Sequence, residues 1–232
     1  MRRWLRKIFL LSCLLLPAAP ARAETVDLLL AIAVDVSRSV DAVRAAMQRD
    51  GYMNALRNPA VVRAATSGQH GKIAVVYFEW AGEQLQRTVV PWTVIRSQAD
   101  ADAFTDELAK NPPVSWSRTS ISGAIDYAVG LFEASPHKAP RRVLDVSGDG
   151  SNNHGRSVTA ARDEAVAKGI VINGLPVIND RPYFAERDLD LYYEANVIGG
   201  PGAFMMVARS FDAFGSAILS KLIREIAEAP TE

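Results

Sequence analysis

The sequence has a single cysteine, Cys13, and it lies within the first 23 of the 232 residues. Without that segment the chain has no thiol, which excludes a disulfide-stapled scaffold. It also lacks internal repeats, low-complexity tracts and any linker rich enough to divide it, so the length favours one domain at residues 24–232. Basic and acidic side chains balance at 26 each. This balance favours neither nucleic acid nor an anionic membrane as a partner.

The first 23 residues have the features of a secretory signal peptide. Basic residues precede an apolar run at 8–16, and Ala21-Arg22-Ala23 forms a small-residue cleavage site. The run is shorter than the roughly 20 residues of a membrane span. An uncleaved anchor and a lipid-anchored form at Cys13 are the alternatives. Cleavage would remove five of the 26 basic groups and no acidic group, leaving a net charge of about −5. We therefore predict a periplasmic or secreted protein.

Past this segment, apolar strands alternate with amphipathic helices. The predicted strands are 26–34, 72–78, 84–92, 142–147, 170–175 and 203–208, and the predicted helices are 41–56, 97–108, 120–132, 158–168 and 211–227. A short turn at Ala81-Gly82 makes the second and third strands a hairpin. The order predicts an α/β fold with three layers, a doubly wound and mostly parallel sheet with one antiparallel edge strand.

Three oxygen-bearing side chains follow the first strand at alternate positions, in Asp35-Val36-Ser37-Arg38-Ser39. Residues two apart in an extended segment point the same way, so Asp35, Ser37 and Ser39 can face one point. Hard oxygen donors suit Mg²⁺, Mn²⁺ or Ca²⁺ better than zinc. Taken alone, however, Ser and Asp also gather at strand ends as turn formers and helix caps.

Two later segments place further oxygen-bearing side chains beside the ends of predicted helices and strands. Thr119 ends a Pro- and Ser-rich loop just before a predicted helix, and Asp149 follows the strand 142–147. With D-x-S-x-S at residues 35–39, these segments resemble the metal-ion-dependent adhesion site (MIDAS) of von Willebrand factor type A (VWA) domains. The chain as a whole resembles the bacterial DUF1194 branch of VWA-like secreted proteins.

The resemblance implies a metal site and a binding function rather than an enzyme. It assigns Asp35, Ser37, Ser39 and Thr119 as ligands, with Asp149 acting chiefly through water. Mg²⁺ is the expected cation, with Mn²⁺ or Ca²⁺ as substitutes. A partner protein would complete the metal shell with a carboxylate. The expected partner-binding residues beside the metal are Trp116, Ser117, Arg118 and Asn152.

Two other functions stay open at this point. One is a Mg²⁺-dependent hydrolase or phosphotransfer enzyme, although Ser37 stands where a haloacid-dehalogenase-type phosphatase needs a second Asp. The other is a VWA scaffold that binds partners away from the metal, around the aromatic residues Tyr183, Phe184, Tyr192 and Tyr193.

Two single residues are also ambiguous in the sequence. Asp145 lies inside a predicted strand, where it either pairs with Arg141 or Arg142 or acts as an alternate donor beside Asp149. His154 is interpreted as a surface-loop histidine, because no cysteine or second histidine lies near it.

Overall fold

The computed structural model describes residues 23–179, 183 and 186–227. The five strands are β1 Leu28–Asp35, β2 Ile73–Trp80, β3 Gln86–Ile95, β4 Arg141–Gly148 and β5 Val171–Pro176. The helices are α1 Ala42–Arg57, α2 Pro59–Ala65, α3 Gln98–Ala109, α4 Ile121–Glu133, α5 Val158–Ala167, α6 Leu189–Tyr192, a π-helix at Tyr193–Val197, and α7 Phe214–Ala227. The predicted signal peptide lies outside the described residues except for Ala23.

The strands form one sheet in the order β3-β2-β1-β4-β5, in which only β3 runs antiparallel to its neighbour. Helices cover both faces, so the predicted three-layer, doubly wound α/β fold with one antiparallel edge strand is confirmed. Strand order reverses between β1 and β4. In such sheets ligands bind outside the carboxyl ends of the strands at this reversal.

The central strand β1 shows how the sequence builds two cores. Its alternate residues Leu28, Leu30, Ile32 and Val34 belong to the core beneath α1, α2, α3 and α7. The intervening Leu29, Ala31 and Ala33 belong to the core beneath α4 and α5. Because side chains of a strand alternate between faces, one apolar run feeds both layers. All eight residues of β1 are therefore buried, including its last one, Asp35.

Short-range hydrogen bonds fix where the helices begin. The Asp41 carboxylate accepts from the Arg44 amide at 2.9 Å, which caps α1. Asn58 ends α1 and caps α2, with Pro59 at the first helical position. The sequence pattern predicts no helix between residue 56 and the strand at 72, so it misses α2. Ser120 caps α4 by accepting from the Gly123 amide at 3.1 Å.

One predicted strand is wrong. Residues 203–208 contact the sheet only through isolated bridges, from Met205 to Gly174 and from Ala208 to Val177. The apolar run suggested a sixth strand, but two single bridges do not make a ladder. Within the described parts of the chain, no helix is both long and apolar enough to cross a membrane.

Candidate metal centre

The loop after β1 holds its polar groups by short hydrogen bonds. The Ser37 amide donates to Asp35 Oδ1 at 2.6 Å, and the Gln48 side chain donates to the Asp35 carbonyl at 3.2 Å. Asp35 is completely buried, and its Oδ2 has no hydrogen-bond partner among the described residues. A buried carboxylate oxygen without a donor is costly. A bound cation is one way to satisfy it.

Asp149, in the loop after β4, is linked directly to the first loop. The Ser39 hydroxyl donates to Asp149 Oδ1 at 2.5 Å, and it lies 3.1 Å from the Ser37 hydroxyl. The other oxygen, Oδ2, accepts from the Asn179 side chain at 2.7 Å. The structure thus brings Asp35, Ser37, Ser39 and Asp149 into one cluster at the reversal of strand order.

Thr119 reaches the same place from the loop before α4. Its amide donates to Asn153 Oδ1 at 3.0 Å, and its carbonyl accepts from the amides of Asn153 and His154 at 2.9 and 3.1 Å. These bonds tie the Thr119 loop to the loop that follows Asp149. The Thr119 hydroxyl forms no hydrogen bond with the described part of the chain and borders the cleft. It is therefore available as a ligand.

An open cleft of about 580 Å³ lies over this cluster. It is lined by Ser37, Arg38, Ser39, Ser117, Arg118, Thr119, Asp149, Gly150, Asn153, Tyr183 and Glu186. Glu186 comes from the segment before α6, and its carboxylate accepts from the Ser151 amide at 3.0 and 3.2 Å. The sequence analysis missed Glu186, Asn153 and Asn179, because no motif or spacing marks them.

The expected partner-binding residues fall into two groups. Ser117 and Arg118 line the cleft, and Trp116 stands beside it with 51% of its surface exposed. Asn152 is not brought to the cleft. Its side chain accepts from the Ser122 amide at 3.0 Å and donates to the Arg156 carbonyl at 3.2 Å, so it braces the loop against α4.

The aromatic residues of the alternative binding surface do not form one exposed patch. Tyr183 is 89% exposed, Tyr192 is partly buried and Tyr193 is completely buried. Phe184 lies outside the described residues. The described residues therefore do not form an aromatic binding surface from these side chains.

Tyr193 instead lies near the buried Asp35 carboxylate. A Cβ atom placed on Gly148 would be 2.8 Å from the Tyr193 hydroxyl and 3.1 Å from Asp35 Oδ2, so these oxygens flank the same glycine. The hydroxyl is buried and has no partner among the described residues. It begins a π-helix, an element that often occurs at functional sites. A phenol here can donate towards Asp35 through one water.

Burial dominates the electrostatics of the two acids. Burial raises the pKa of Asp35 to about 8, and the neighbouring Asp149 carboxylate adds to the rise. Burial likewise raises the pKa of Asp149, although hydrogen bonds from Ser39 and Asn179 oppose it. A divalent cation between these groups would relieve both the desolvation and the repulsion.

The donor set fits a hard divalent cation. The described residues contain no cluster of three or more His, Cys, Asp or Glu side chains arranged to hold a metal. A site here consequently depends on hydroxyls as well as carboxylates. Two carboxylates and three hydroxyls, Asp35, Asp149, Ser37, Ser39 and Thr119, are the side chains that would hold it.

Asp145 and His154 take structural positions. Asp145 is buried in β4 and its Oδ1 lies 2.6 Å from Nζ of Lys221 in α7, so the predicted pairing with Arg141 or Arg142 is wrong, and it does not line the cleft. Arg141 and Arg142 instead donate to backbone carbonyls. His154 accepts from the Glu83 amide at 3.0 Å through Nδ1, and it lies in a polar loop.

Comparison with known proteins identifies the family. A family model described as a protein of unknown function, DUF1194, matches residues 25–230. The chain belongs to the DUF1194 family. No curated protein sequence is similar enough to this DUF1194 chain to count as a relative.

Solved structures place the fold of this DUF1194 protein among VWA domains. Proximal thread matrix protein 1 from the mussel byssus, solved with a zinc-occupied MIDAS motif, aligns with a TM-score of 0.61 at 17% identity, over 87% of this chain and 46% of that one. The pilus adhesin SpaC from Lactobacillus rhamnosus GG gives 0.61 at 14% identity, over 90% and 31%. A VWA protein from Catenulispora acidiphila gives 0.54 at 14% identity, over 87% and 42%. The DUF1194 chain thus spans less than half the length of these proteins, and the likeness is one of fold.

Proposed function

We propose that this DUF1194 protein is an exported VWA module, periplasmic or secreted, with a MIDAS-type site for a divalent cation. Asp35, Ser37, Ser39 and Thr119 would hold the cation, Asp149 would act chiefly through water, and a partner protein would add a carboxylate. Mg²⁺ is the cation we favour, with Mn²⁺ or Ca²⁺ as substitutes. The observation that carries the proposal is the buried Asp35 Oδ2, which has no hydrogen-bond partner among the described residues and belongs to the same loop as the hydroxyls of Ser37 and Ser39.

The charge of the site supports a binding role. When bound, a divalent cation would supply a Lewis-acidic centre for one carboxylate from outside. The five side chains come from three segments of the chain, and the open cleft beside them would leave room for a group from outside. Two carboxylates among five donors leave the cation electrophilic enough to attract an anionic group.

The similar structures point the same way. One is described with zinc in its MIDAS motif and another is described as a pilus adhesin. These descriptions concern those proteins, and their extension to this chain belongs to the proposal. We propose a binding module rather than an enzyme, because the residues of the cleft supply metal donors and arginines but no histidine or cysteine.

A peptide titration tests the partner-binding half of the proposal. The ¹⁵N-labelled protein lacking residues 1–23 is titrated with a Gly-Ser peptide that contains one Asp, and with the same peptide carrying Asn. In Mg²⁺, only the Asp peptide should shift the Trp116 indole signal and the amides of the cleft. Chelation should abolish the shifts. Equal shifts with both peptides, or with chelator present, would refute a metal-bridged carboxylate.

A further inference from the structure

Two arginines, Arg38 and Arg118, stand at the mouth of the cleft. Arg38 lies between the two serines of the first loop, and Arg118 directly precedes Thr119. Both are exposed and both line the cleft. Neither forms an ion pair or a side-chain hydrogen bond with any residue that the structure describes. Most other arginines of the domain do, as Arg49, Arg87 and Arg156 illustrate. These two guanidinium groups are therefore free to meet a ligand.

The backbone holds Arg118 in an unusual conformation. Its φ is 69°, which makes it the one described non-glycine residue in the left-handed region. Such a residue costs on the order of 1 kcal/mol and persists only when its surroundings fix it. Here the following amides are fixed, because Thr119 donates to Asn153 and Ser120 donates to the Ala81 carbonyl at 2.7 Å.

The loop that carries Arg118 also packs closely against the turn between β2 and β3. A Cβ atom on Gly82 would lie 2.9 Å from the Ser117 carbonyl and 3.4 Å from Cβ of Arg118. The loop carrying Arg118 thus packs so closely against Gly82 that a side chain at position 82 would not fit without a shift. Strain of this kind gathers at functional sites.

Charge is distributed unevenly across the cleft. Arg38 belongs to the loop after β1 and Arg118 to the loop before α4, whereas Glu186 is held on the loop after β4 by the Ser151 amide. Glu83 lies beside Arg118 in a neighbouring cleft but forms no ion pair with it. With a divalent cation bound, two arginines and the cation outweigh Asp35, Asp149 and Glu186 by one unit. The loaded site would be positive, most strongly on the arginine side.

We propose that the partner presents an acidic segment, in which one carboxylate reaches the cation and neighbouring carboxylates pair with Arg38 and Arg118. This inference rests on the proposed function and deepens it, because it specifies what surrounds the bridging carboxylate. Planar guanidinium groups bind carboxylates in a bidentate geometry, which adds direction to the charge attraction. Trp116, exposed at the same rim, offers apolar surface to the same segment.

The test compares a peptide with one Asp among Gly and Ser and a peptide with four consecutive Asp. Both are titrated by NMR in Mg²⁺ against the wild-type protein, Arg38→Gln, Arg118→Gln and the double variant. Arg63→Gln is the matched control: Arg63 is exposed, forms no ion pair with a described residue, and lies on α2, which leads into the amino end of β2, whereas the cleft lies at the carboxyl ends of the strands. Calorimetric Mg²⁺ binding is measured for every variant.

The four-Asp peptide should bind wild type several-fold more tightly than the one-Asp peptide. Each single substitution should weaken it about two- to fivefold, as expected for exposed ion pairs, and the double substitution about tenfold. Each substitution should weaken one-Asp binding less than four-Asp binding, because the single carboxylate is directed to the cation. Mg²⁺ binding should be retained in every variant, and the Arg63 variant should behave as wild type.

The two levels of the proposal fail differently. Equal affinity for the two peptides, or an undiminished four-Asp affinity in the double variant, would overturn the acidic-segment inference while leaving the metal-bridged carboxylate intact. Mg²⁺ binding without either peptide binding would refute the proposed function together with the inference. Polygalacturonate that binds in Mg²⁺ and displaces the four-Asp peptide at lower carboxylate concentration would assign the surface to an acidic polysaccharide instead.

Discussion

A buried ion cluster joins α7 to the centre of the sheet, far from the exposed salt bridges of the surface. Nζ of Lys221 lies 2.6 Å from Asp145 Oδ1 and also contacts Glu225 one turn along α7. The Asn173 side chain donates to Glu225 at 2.9 Å. Lys221, Asp145 and Glu225 are all completely buried. One ammonium therefore serves two carboxylates in a place that water does not reach.

Replacing Lys221 with Met keeps much of the side-chain volume and removes the only cation of this cluster. Breaking a buried pair by removing one partner typically costs about 3–5 kcal/mol, because the remaining charge is left without compensation. For a domain of this size that corresponds to a fall of roughly 6–20 °C in Tm. Burial already raises the pKa of Glu225 to about 7 and raises that of Asp145, so protonation should recover part of the loss at low pH.

Urea unfolding followed by circular dichroism at about pH 5 and pH 8 measures this cost. A carboxyl whose pKa is raised in the folded state stabilises the fold at low pH and loses that contribution as the pH rises through the raised value. The Lys221→Met variant should thus lose most stability at pH 8 and less at pH 5. Lys168→Met, which removes an exposed pair with Glu133, should stay within about 0.5 kcal/mol of wild type. A cost below about 1 kcal/mol, or one independent of pH, would contradict the electrostatic account.

The remaining predictions concern the metal site. Because burial and Asp149 raise the pKa of Asp35 from 3.8 to about 8, the metal-free protein should lose stability as the pH rises through that window, and stabilisation by Mg²⁺ should grow over it. Thermal melts with Mg²⁺ and with chelator at both ends of the window check this, and a metal-induced Tm shift independent of pH would count against it. Tyr193→Phe should weaken Mg²⁺ binding about tenfold, since partners behind a ligand contribute that much. Tyr127→Phe, whose hydroxyl contacts Thr88 instead, should leave the affinity unchanged, and equal effects of the two substitutions would rule out a positioning role.

The main features of the fold could be predicted from local patterns. The apolar run of β1 and the cap at Asp41 act within a few residues, so the sequence displays them directly. The hairpin of β2 and β3 likewise follows from a short turn at Gly82. Part of the first loop is local as well, because Asp35, Ser37 and Ser39 lie within five residues and the Ser37 amide itself donates to Asp35 Oδ1.

Contacts between distant segments could not be predicted in this way. Asp145 appeared to need a neighbouring arginine, but its partner Lys221 comes from the last helix, 76 positions along the chain by their residue numbers. Glu186 lines the cleft and Tyr193 lies near Gly148, although both residues come from the part of the chain beyond β5. No local signal marks these residues, since their role depends on tertiary packing.

Calorimetric titration of the chelator-stripped protein lacking residues 1–23 with Mg²⁺, Mn²⁺ and Ca²⁺ tests the central claim most directly. The variants are Asp35→Ala and Thr119→Ala, with Asp126→Ala as a matched control, because Asp126 is exposed and pairs with Arg156 outside the cleft. We predict one saturable site in the wild type and in the control, lost in both site variants. Absence of binding to the wild type, or binding that survives both substitutions, would contradict a metal centre at these residues.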